Sequence, residues 1–212
     1  MSAVIFIERA TPGTLTEFKD LLAKQLLEVR EPWSLDVRTY RTQVKDDPNR
    51  DRLLYSLTFS HHDRKTVLMR DGHGMVLAGA SNEVAAPELR TCSTGFSEPI
   101  DQLLSSKLSN MWTQRQVIRG DAGEALLITG GVTVRIVNLF TSTGFKGLLI
   151  ELDQSEDLGR DVGSSNGVEP VVQLLKEMGV KDYKVAGPQD DSRYDDQPIY
   201  KLAELYIKVL EY

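Results

Sequence analysis

The first thirty residues contain an apolar segment followed by a segment with helical spacing. Residues Ala3–Ile7 are all apolar, which predicts a short buried strand. After a Thr-Pro-Gly turn, Thr14 and Glu17 have the spacing of a capping box, which satisfies the free amides of a first helical turn. We therefore predict a helix over 14–29 with one apolar face. Its apolar positions recur at steps of three and four: Leu15, Phe18, Leu22, Leu26 and Val29.

From Glu31 to about Leu152 the period falls to two, which predicts a large antiparallel sheet. The glycine-containing connectors 120–123, 130–131 and 142–144 are typical of hairpin turns. With the first strand the count is about eight or nine, and a twisted sheet of this size tends to close into a barrel or to split into two layers. The predicted strands after the first are 35–44, 53–60, 66–69, 74–78, 110–119, 125–129, 132–140 and 145–152.

The last sixty residues combine two polar segments with two helical ones. Residues 154–166 and 188–196 are acidic and polar, so we predict loops. Apolar stripes predict helices over 167–178 and 197–211, packed on the sheet. The whole chain, 1–212, is thus predicted to be a single α+β domain: an antiparallel barrel of about eight strands flanked by helices.

Composition narrows the class of function. The chain has 25 Lys and Arg against 31 Asp and Glu, a net charge of −6, which argues against broad binding to nucleic acid or to an acidic membrane. The single cysteine, Cys92, cannot form an intramolecular disulfide, and this favours a reducing compartment, cytosol or nucleus. We also expect no signal peptide and no membrane segment, because the longest apolar runs are far too short.

No residue cluster predicts catalysis, a metal or a cofactor. His61 and His62 would point to opposite faces of a strand, so we interpret them, with Asp63 and His73, as exposed turn residues. Cys92 lacks a recognisable nucleophile motif and is predicted to be a small half-buried side chain. The remaining candidates are interpreted as solvated or turn residues: Asp121, Glu124, Lys146 and the aspartates of 190–196.

The segment Lys107–Arg119 is the most unusual part of the predicted sheet. Aromatic, apolar and polar residues fall on both of its faces, so neither is a clear core face. It would line a polar barrel interior, or present Trp112 and Arg115 to a partner, or bury Trp112 in the core. The candidate partner interface consists of Trp112, Gln114, Arg115 and Gln116.

Several blocks of the sequence closely resemble the family of subunit 20 of the Mediator complex in yeasts. The resemblance extends from the first strand to about Leu152, resumes in the last helix and departs between Gln154 and Asp196. The blocks that carry it are Ser2–Pro12, Glu31–Ser34, Asp36–Arg41, Leu103–Glu124 and Asn138–Leu152.

This resemblance implies a nuclear, non-enzymatic subunit of the Mediator head module, which supports regulated transcription by RNA polymerase II. It implies a heterodimer with Mediator subunit 18, attachment to the rest of the head through subunit 8, and an association with the TATA-binding protein, without sequence-specific DNA binding. It also implies an antiparallel barrel of about eight strands flanked by helices.

The implied barrel is related to the triphosphate tunnel of fungal messenger-RNA triphosphatases, so a phosphohydrolase is the alternative function. Such enzymes hold a metal and the triphosphate with alternating glutamates on their strands. The predicted strand 132–140 contains no acidic residue, and the first strand offers only Glu8 at its end. A divalent metal would lack oxygen ligands, which disfavours the enzyme.

Overall fold

The structure, a computed structural model, describes residues 2–44, 53–62, 65–70, 72–77, 100–154, 168–187 and 198–211. All strand pairs given below are antiparallel and helices flank the strands, so the α+β class is confirmed. The helices are α1 (Pro12–Leu22), α2 (Ile100–Ser105), α3 (Val168–Glu177) and α4 (Pro198–Leu210). The strands are β1 (Ser2–Ile7), β2 (Leu26–Val29), β3 (Trp33–Thr42), β4 (Leu53–Phe59), β5 (Lys65–Arg70), β6 (His73–Leu77), β7 (Trp112–Ile128), β8 (Val132–Thr141), β9 (Gly144–Gln154) and β10 (Lys184–Ala186). Among these helices, none has the length and apolar character that crossing a membrane requires.

The chain divides into two compact units. Unit 1 comprises Met1–Ser34 and Arg119–Tyr212, and unit 2 comprises Leu35–Ile118. In unit 1 the strand order is β10-β1-β9-β8-β7, with β2 also paired to β7. In unit 2 the order is β3-β4-β5-β6. The described pairings close neither unit into a barrel, so the predicted barrel is not confirmed.

The sheet of unit 1 is covered by helices on both faces. Helices α1 and α3 bury Phe18, Leu22, Val171 and Leu175 against one face, in a core that includes Ile150. Because successive side chains of a strand alternate, the neighbours of Ile150 point to the opposite face. That face receives α4, which packs against β1 and β10.

Helix α1 differs from the predicted helix 14–29 at both ends. It begins at Pro12, where Thr11 N donates to Thr14 Oγ1 at 2.9 Å, so the capping box uses Thr11 and Thr14 and not Thr14 and Glu17. It ends at Leu22, and after a 3₁₀ turn (Ala23–Gln25) the residues predicted as its last turn form β2. Pairing with β7 thus overrides the helical period of the sequence.

The two strands predicted at 110–119 and 125–129 form one strand, β7, and the connector 120–123 is not a hairpin turn. Between Arg119 and Glu124 the pairing with β8 shifts by one residue, and Ala122 has a positive φ of 55°. A Cβ at Gly120 would lie 2.7 Å from Val137 Cγ2. Glycine at this position therefore permits close packing beside a bulge. In the sequence alone, such a glycine looks the same as the glycine of a turn.

The other two glycine connectors do form turns, as predicted. Gly130 and Gly131 join β7 to β8 with φ of 87° and 72°, and Gly144 begins β9 with a φ of 119°. Helices α3 and α4 confirm the predictions 167–178 and 197–211 to within one residue at each end. The pattern gave no indication of α2 and β10, both of which are short.

Candidate protein-interaction surface

The four candidate interface residues lie at the start of β7, in unit 2. Turns connect α2 to the start of β7. In them, Met111 N and Trp112 N both donate to Leu108 O, at 2.9 Å each. Gln43 N then donates to Met111 O at 2.8 Å, and the Gln43 side chain donates to Thr113 Oγ1. These bonds set the start of β7 beside the end of β3.

Trp112 belongs partly to the core of unit 2 and partly to its surface. Its ring is half-buried and packs on a cluster centred on Tyr40, Leu54 and Leu104. The guanidinium of Arg70 lies over the ring, 5.1 Å from its centroid, a cation–π distance. Trp112 therefore lies partly in the core, and its contact with a partner stays a prediction.

The polar members of the set differ in exposure. Gln114 and Arg115 are exposed, whereas Gln116 is half-buried. Thr113, between them and Trp112, is exposed too, so three consecutive residues of this strand reach solvent. A strand that is open on both faces with a tryptophan at its base has the composition of a protein-interaction surface, because aromatic residues and arginine are the usual anchors.

Four polar residues of unit 2 connect α2 to β3. We call them the Asp101 cluster: Asp36, Arg38, Tyr40 and Asp101. Tyr40 Oη donates to Asp101 Oδ1 at 2.8 Å, and Arg38 Nε lies 3.8 Å from Asp101 Oδ2. Arg38 also donates to both oxygens of Asp36, at 2.8 and 3.1 Å. Burial, reinforced by the Asp101 carboxylate, raises the pKa of Tyr40, so its hydroxyl stays a donor.

A comparable group in unit 1, the Glu151 cluster (Arg135, Glu151 and Tyr206), fastens α4 to β9. Glu151 is 1% exposed, and its carboxylate accepts from the Tyr206 hydroxyl and, at 2.5 Å, from Arg135 Nη1. Arg135 also contacts Asp153 at 3.3 Å. Burial first, then the negative charge of Glu151, raise the pKa of Tyr206. All three groups are thus committed to one another, and we assign this cluster a structural role.

The other residues considered from the sequence take turn or surface positions where the structure describes them. His61 and His62 are half-buried in the turn after β4 with ring centroids 4.4 Å apart, so they are less exposed than predicted. Glu124 accepts from Lys19 Nζ at 2.6 Å, and Asp121 is exposed. Asp63, Cys92 and the 190–196 aspartates lie outside the described residues.

Within the described ranges, no group of three or more His, Cys, Asp or Glu side chains is placed to hold a metal ion. The fold and the described residues thus define an α+β protein whose candidate site, the start of β7, is an exposed strand.

The comparisons with known proteins identify the family. Residues 1–211 match the family model described as TATA-binding related factor (TRF) of subunit 20 of Mediator complex. The curated protein "Mediator of RNA polymerase II transcription subunit 20" of Candida glabrata is 59% identical, over 99% of each chain. The protein of that name from Saccharomyces cerevisiae is 49% identical, over 99% of this chain and 98% of its own. This chain belongs to the Mediator subunit 20 family.

Among solved structures, the Schizosaccharomyces pombe Mediator head module contains a chain with a TM-score of 0.38 and 12% identity, covering 87% of this chain and 98% of its own. The PH1819 protein of Pyrococcus horikoshii reaches a TM-score of 0.41 at 13% identity, covering 87% and 93%.

Family membership makes the chain a component of a transcription coactivator complex and not an enzyme. The alternative of a triphosphate-tunnel phosphohydrolase is therefore wrong. The missing pairs of strand glutamates already argued against it from the sequence.

Proposed function

We propose that the chain acts in the nucleus as a head-module subunit of Mediator, that it forms a heterodimer with Mediator subunit 18, and that subunit 18 links it to subunit 8 and the rest of the head. In this position it supports regulated initiation by RNA polymerase II and associates with the TATA-binding protein. The family match over residues 1–211 is the observation that carries the proposal. We propose further that 1–212 works as one domain, with strands that complete a barrel related to the triphosphate-tunnel type.

The start of β7 is the proposed contact with subunit 18. Trp112 supplies a large apolar surface that Arg70 and the unit 2 core hold in place. Gln114 and Arg115 extend from it into solvent, and Gln116 is half-buried beside them. Such a pattern, an aromatic anchor bordered by polar and arginine side chains, is what concentrates binding energy in protein interfaces.

Co-expression with subunit 18, followed by size-exclusion chromatography, tests the heterodimer. We expect one peak that contains both chains in equal amounts. Two separate peaks, with this chain folded and alone in its own, would contradict the proposal.

Substitution of exposed residues tests the proposed surface. Arg115→Ala is expected to weaken the heterodimer by about 1 kcal/mol or more, measured by calorimetric titration. Arg9→Ala is the matched control, because the Arg9 side chain is 84% exposed in unit 1. Trp112→Ala removes part of the unit 2 core as well, so its melting temperature must be measured beside its affinity. Equal affinity of the Arg115 variant and the control would place the contact elsewhere.

A further inference from the structure

Two exposed arginines share one face of the sheet in unit 2. The Gln43 side chain donates to Thr113 Oγ1, so these two side chains lie on the same face. Because side chains alternate along a strand, Arg41 and Arg115, each two residues away from this pair, point to that face as well. Both arginines are exposed, and neither has a hydrogen bond or ion pair among the described residues. We call these four residues the two-arginine face.

The two arginines are diagonal neighbours on adjacent strands. Gln43 N donates to Met111 O at 2.8 Å, and at the other end of the same strands Trp33 Nε1 donates to Glu124 O at 3.2 Å, so β3 and β7 run antiparallel. Diagonal neighbours in such a pair lie about 7–8 Å apart. Alternate side chains of an extended chain lie about 7 Å apart. The spacing of the arginines therefore matches two alternate side chains of an extended segment.

The described part of unit 2 is basic, although the whole chain carries a net charge of −6. Its only acids are Asp36 and Asp101, and both belong to the Asp101 cluster. Asp36 and Tyr40 occupy even positions of β3 and Arg41 an odd one, so the cluster lies on the opposite face from the two arginines. The six basic residues of this part are Arg38, Arg41, Lys65, Arg70, Lys107 and Arg115.

We propose that the two-arginine face binds an extended acidic segment of a partner protein. Two carboxylates of the segment, on alternate residues, each accept a pair of parallel hydrogen bonds from one guanidinium. The proposal rests on the proposed function because it takes the start of β7 as a contact surface, and it adds the chemistry of the segment that binds there. It does not require that segment to belong to subunit 18.

The charge of the face decides against two other occupants. A two-fold contact between copies of this chain sets a surface against itself. Since the described residues place no acid on the two-arginine face, every register of such a contact brings arginine to arginine without a counter-charge. Nucleic acid binding draws on many phosphate contacts, which two arginines on a chain of net charge −6 do not supply.

Fluorescence anisotropy of the full-length protein tests this face. The probe is a labelled octapeptide, capped at both ends, in which aspartate alternates with valine. We expect saturable binding that weakens as salt is added, because the attraction is between exposed charges. The same peptide with asparagine in place of aspartate should bind about tenfold more weakly. No binding of the aspartate peptide, or equal binding of both, would overturn the proposal.

Substitution of each arginine locates the binding. Arg41→Gln and Arg115→Gln should each weaken binding of the aspartate peptide about fivefold or more, since each removes one guanidinium fork. The melting temperatures should stay close to that of the parent, because both side chains are exposed and unpaired among the described residues. Arg9→Gln is the matched control, since Arg9 is 84% exposed in unit 1, and it should leave the affinity unchanged. A control as weak as Arg41→Gln would overturn the proposal.

Two further measurements address the other occupants. Single-stranded DNA that binds more tightly than the aspartate peptide, and loses this affinity in Arg41→Gln, would overturn the proposal. So would a dimer of the unmodified chain, seen in analytical ultracentrifugation, that Arg41→Gln dissolves.

Co-expression with subunit 18 keeps this proposal separate from the proposed function. A heterodimer together with failure of the aspartate peptide would overturn only the acidic segment. Binding of the peptide through both arginines, without a heterodimer, would support the acidic segment and contradict subunit 18 as the partner.

Discussion

Each unit fastens a helix to its sheet with a tyrosine, a carboxylate and an arginine, but the two sites differ in burial. In the Glu151 cluster the carboxylate is 1% exposed, and Arg135 contacts a second acid, Asp153, at 3.3 Å. In the Asp101 cluster the carboxylate side chain is 14% exposed, and Arg38 holds a second acid, Asp36, with two hydrogen bonds. Each arginine thus contacts a second acid, and the two sites differ in how deeply the central carboxylate is buried.

The difference teaches that the loss of a partner is costly where neither water nor another side chain can replace it. A buried ion pair adds little over apolar packing, yet breaking one leaves a charge stranded. The following predictions compare the two clusters on that basis.

Glu151→Ala should give the largest effect, about 3–5 kcal/mol less stability in urea unfolding, because it leaves Arg135 and Tyr206 buried without their shared acceptor. Asp153→Ala is the control: that side chain is 40% exposed and should cost under about 1 kcal/mol. A Glu151 variant no less stable than the control would show that the cluster is already hydrated.

Tyr206→Phe should cost about 1.5–3 kcal/mol, since it removes one hydrogen bond to a buried charged acceptor and leaves Arg135 in place. Urea unfolding followed by circular dichroism measures the change. Tyr200→Phe, in the same helix at a half-buried position, is the matched substitution and should cost less. Equal losses would mean that the hydroxyl bond to Glu151 contributes nothing specific.

Alkaline pH should weaken both units. A tyrosine whose pKa is raised by folding stabilises the protein below its unfolded pKa, about 10, and this contribution is lost as the pH rises further. The free energy of unfolding should therefore fall by up to about 1.4 kcal/mol per pH unit for each such tyrosine. Unfolding curves between pH 9 and 11 measure it, and the slope should become shallower in Tyr206→Phe. An unchanged slope would contradict the raised pKa.

Asp101→Ala should give the smallest change, about 1–2 kcal/mol, because only the Tyr40 hydroxyl loses its acceptor while Arg38 keeps Asp36. Amide exchange across α2 measures whether the helix loosens locally. A loss as large as that of Glu151→Ala would abolish the distinction between the clusters.

The sequence predicts the long, regular elements of this fold because their burial is itself regular. Ile5 and Ile150 lie in runs of apolar residues that are typical of buried strands, and α4 has a continuous apolar stripe. The predictions that were wrong concern residues whose local structure is set by a tertiary contact. Leu26 and Val29 continue a helical period but pair with β7, and Gly120 resembles a turn residue but packs under Val137.

The candidate surface was only partly predictable. The mixed pattern around Trp112 indicated an unusual strand, but its support by Arg70 comes from a hairpin forty residues earlier. No local signal couples the two positions. The sequence could not predict the Glu151 cluster for the same reason, since Tyr206 and Glu151 meet only where α4 packs on the sheet.

The division of the chain sets an order of folding during synthesis. All of unit 2 is made before β8 leaves the ribosome, whereas unit 1 joins the first strand to the last third of the chain: Ile5 pairs with Ile150 and with Val185. Long-range pairings of this kind form slowly, because the closure of a long loop precedes any contact energy. The apolar β1 therefore cannot form its pairs with β9 and β10 until the last third of the chain has been made.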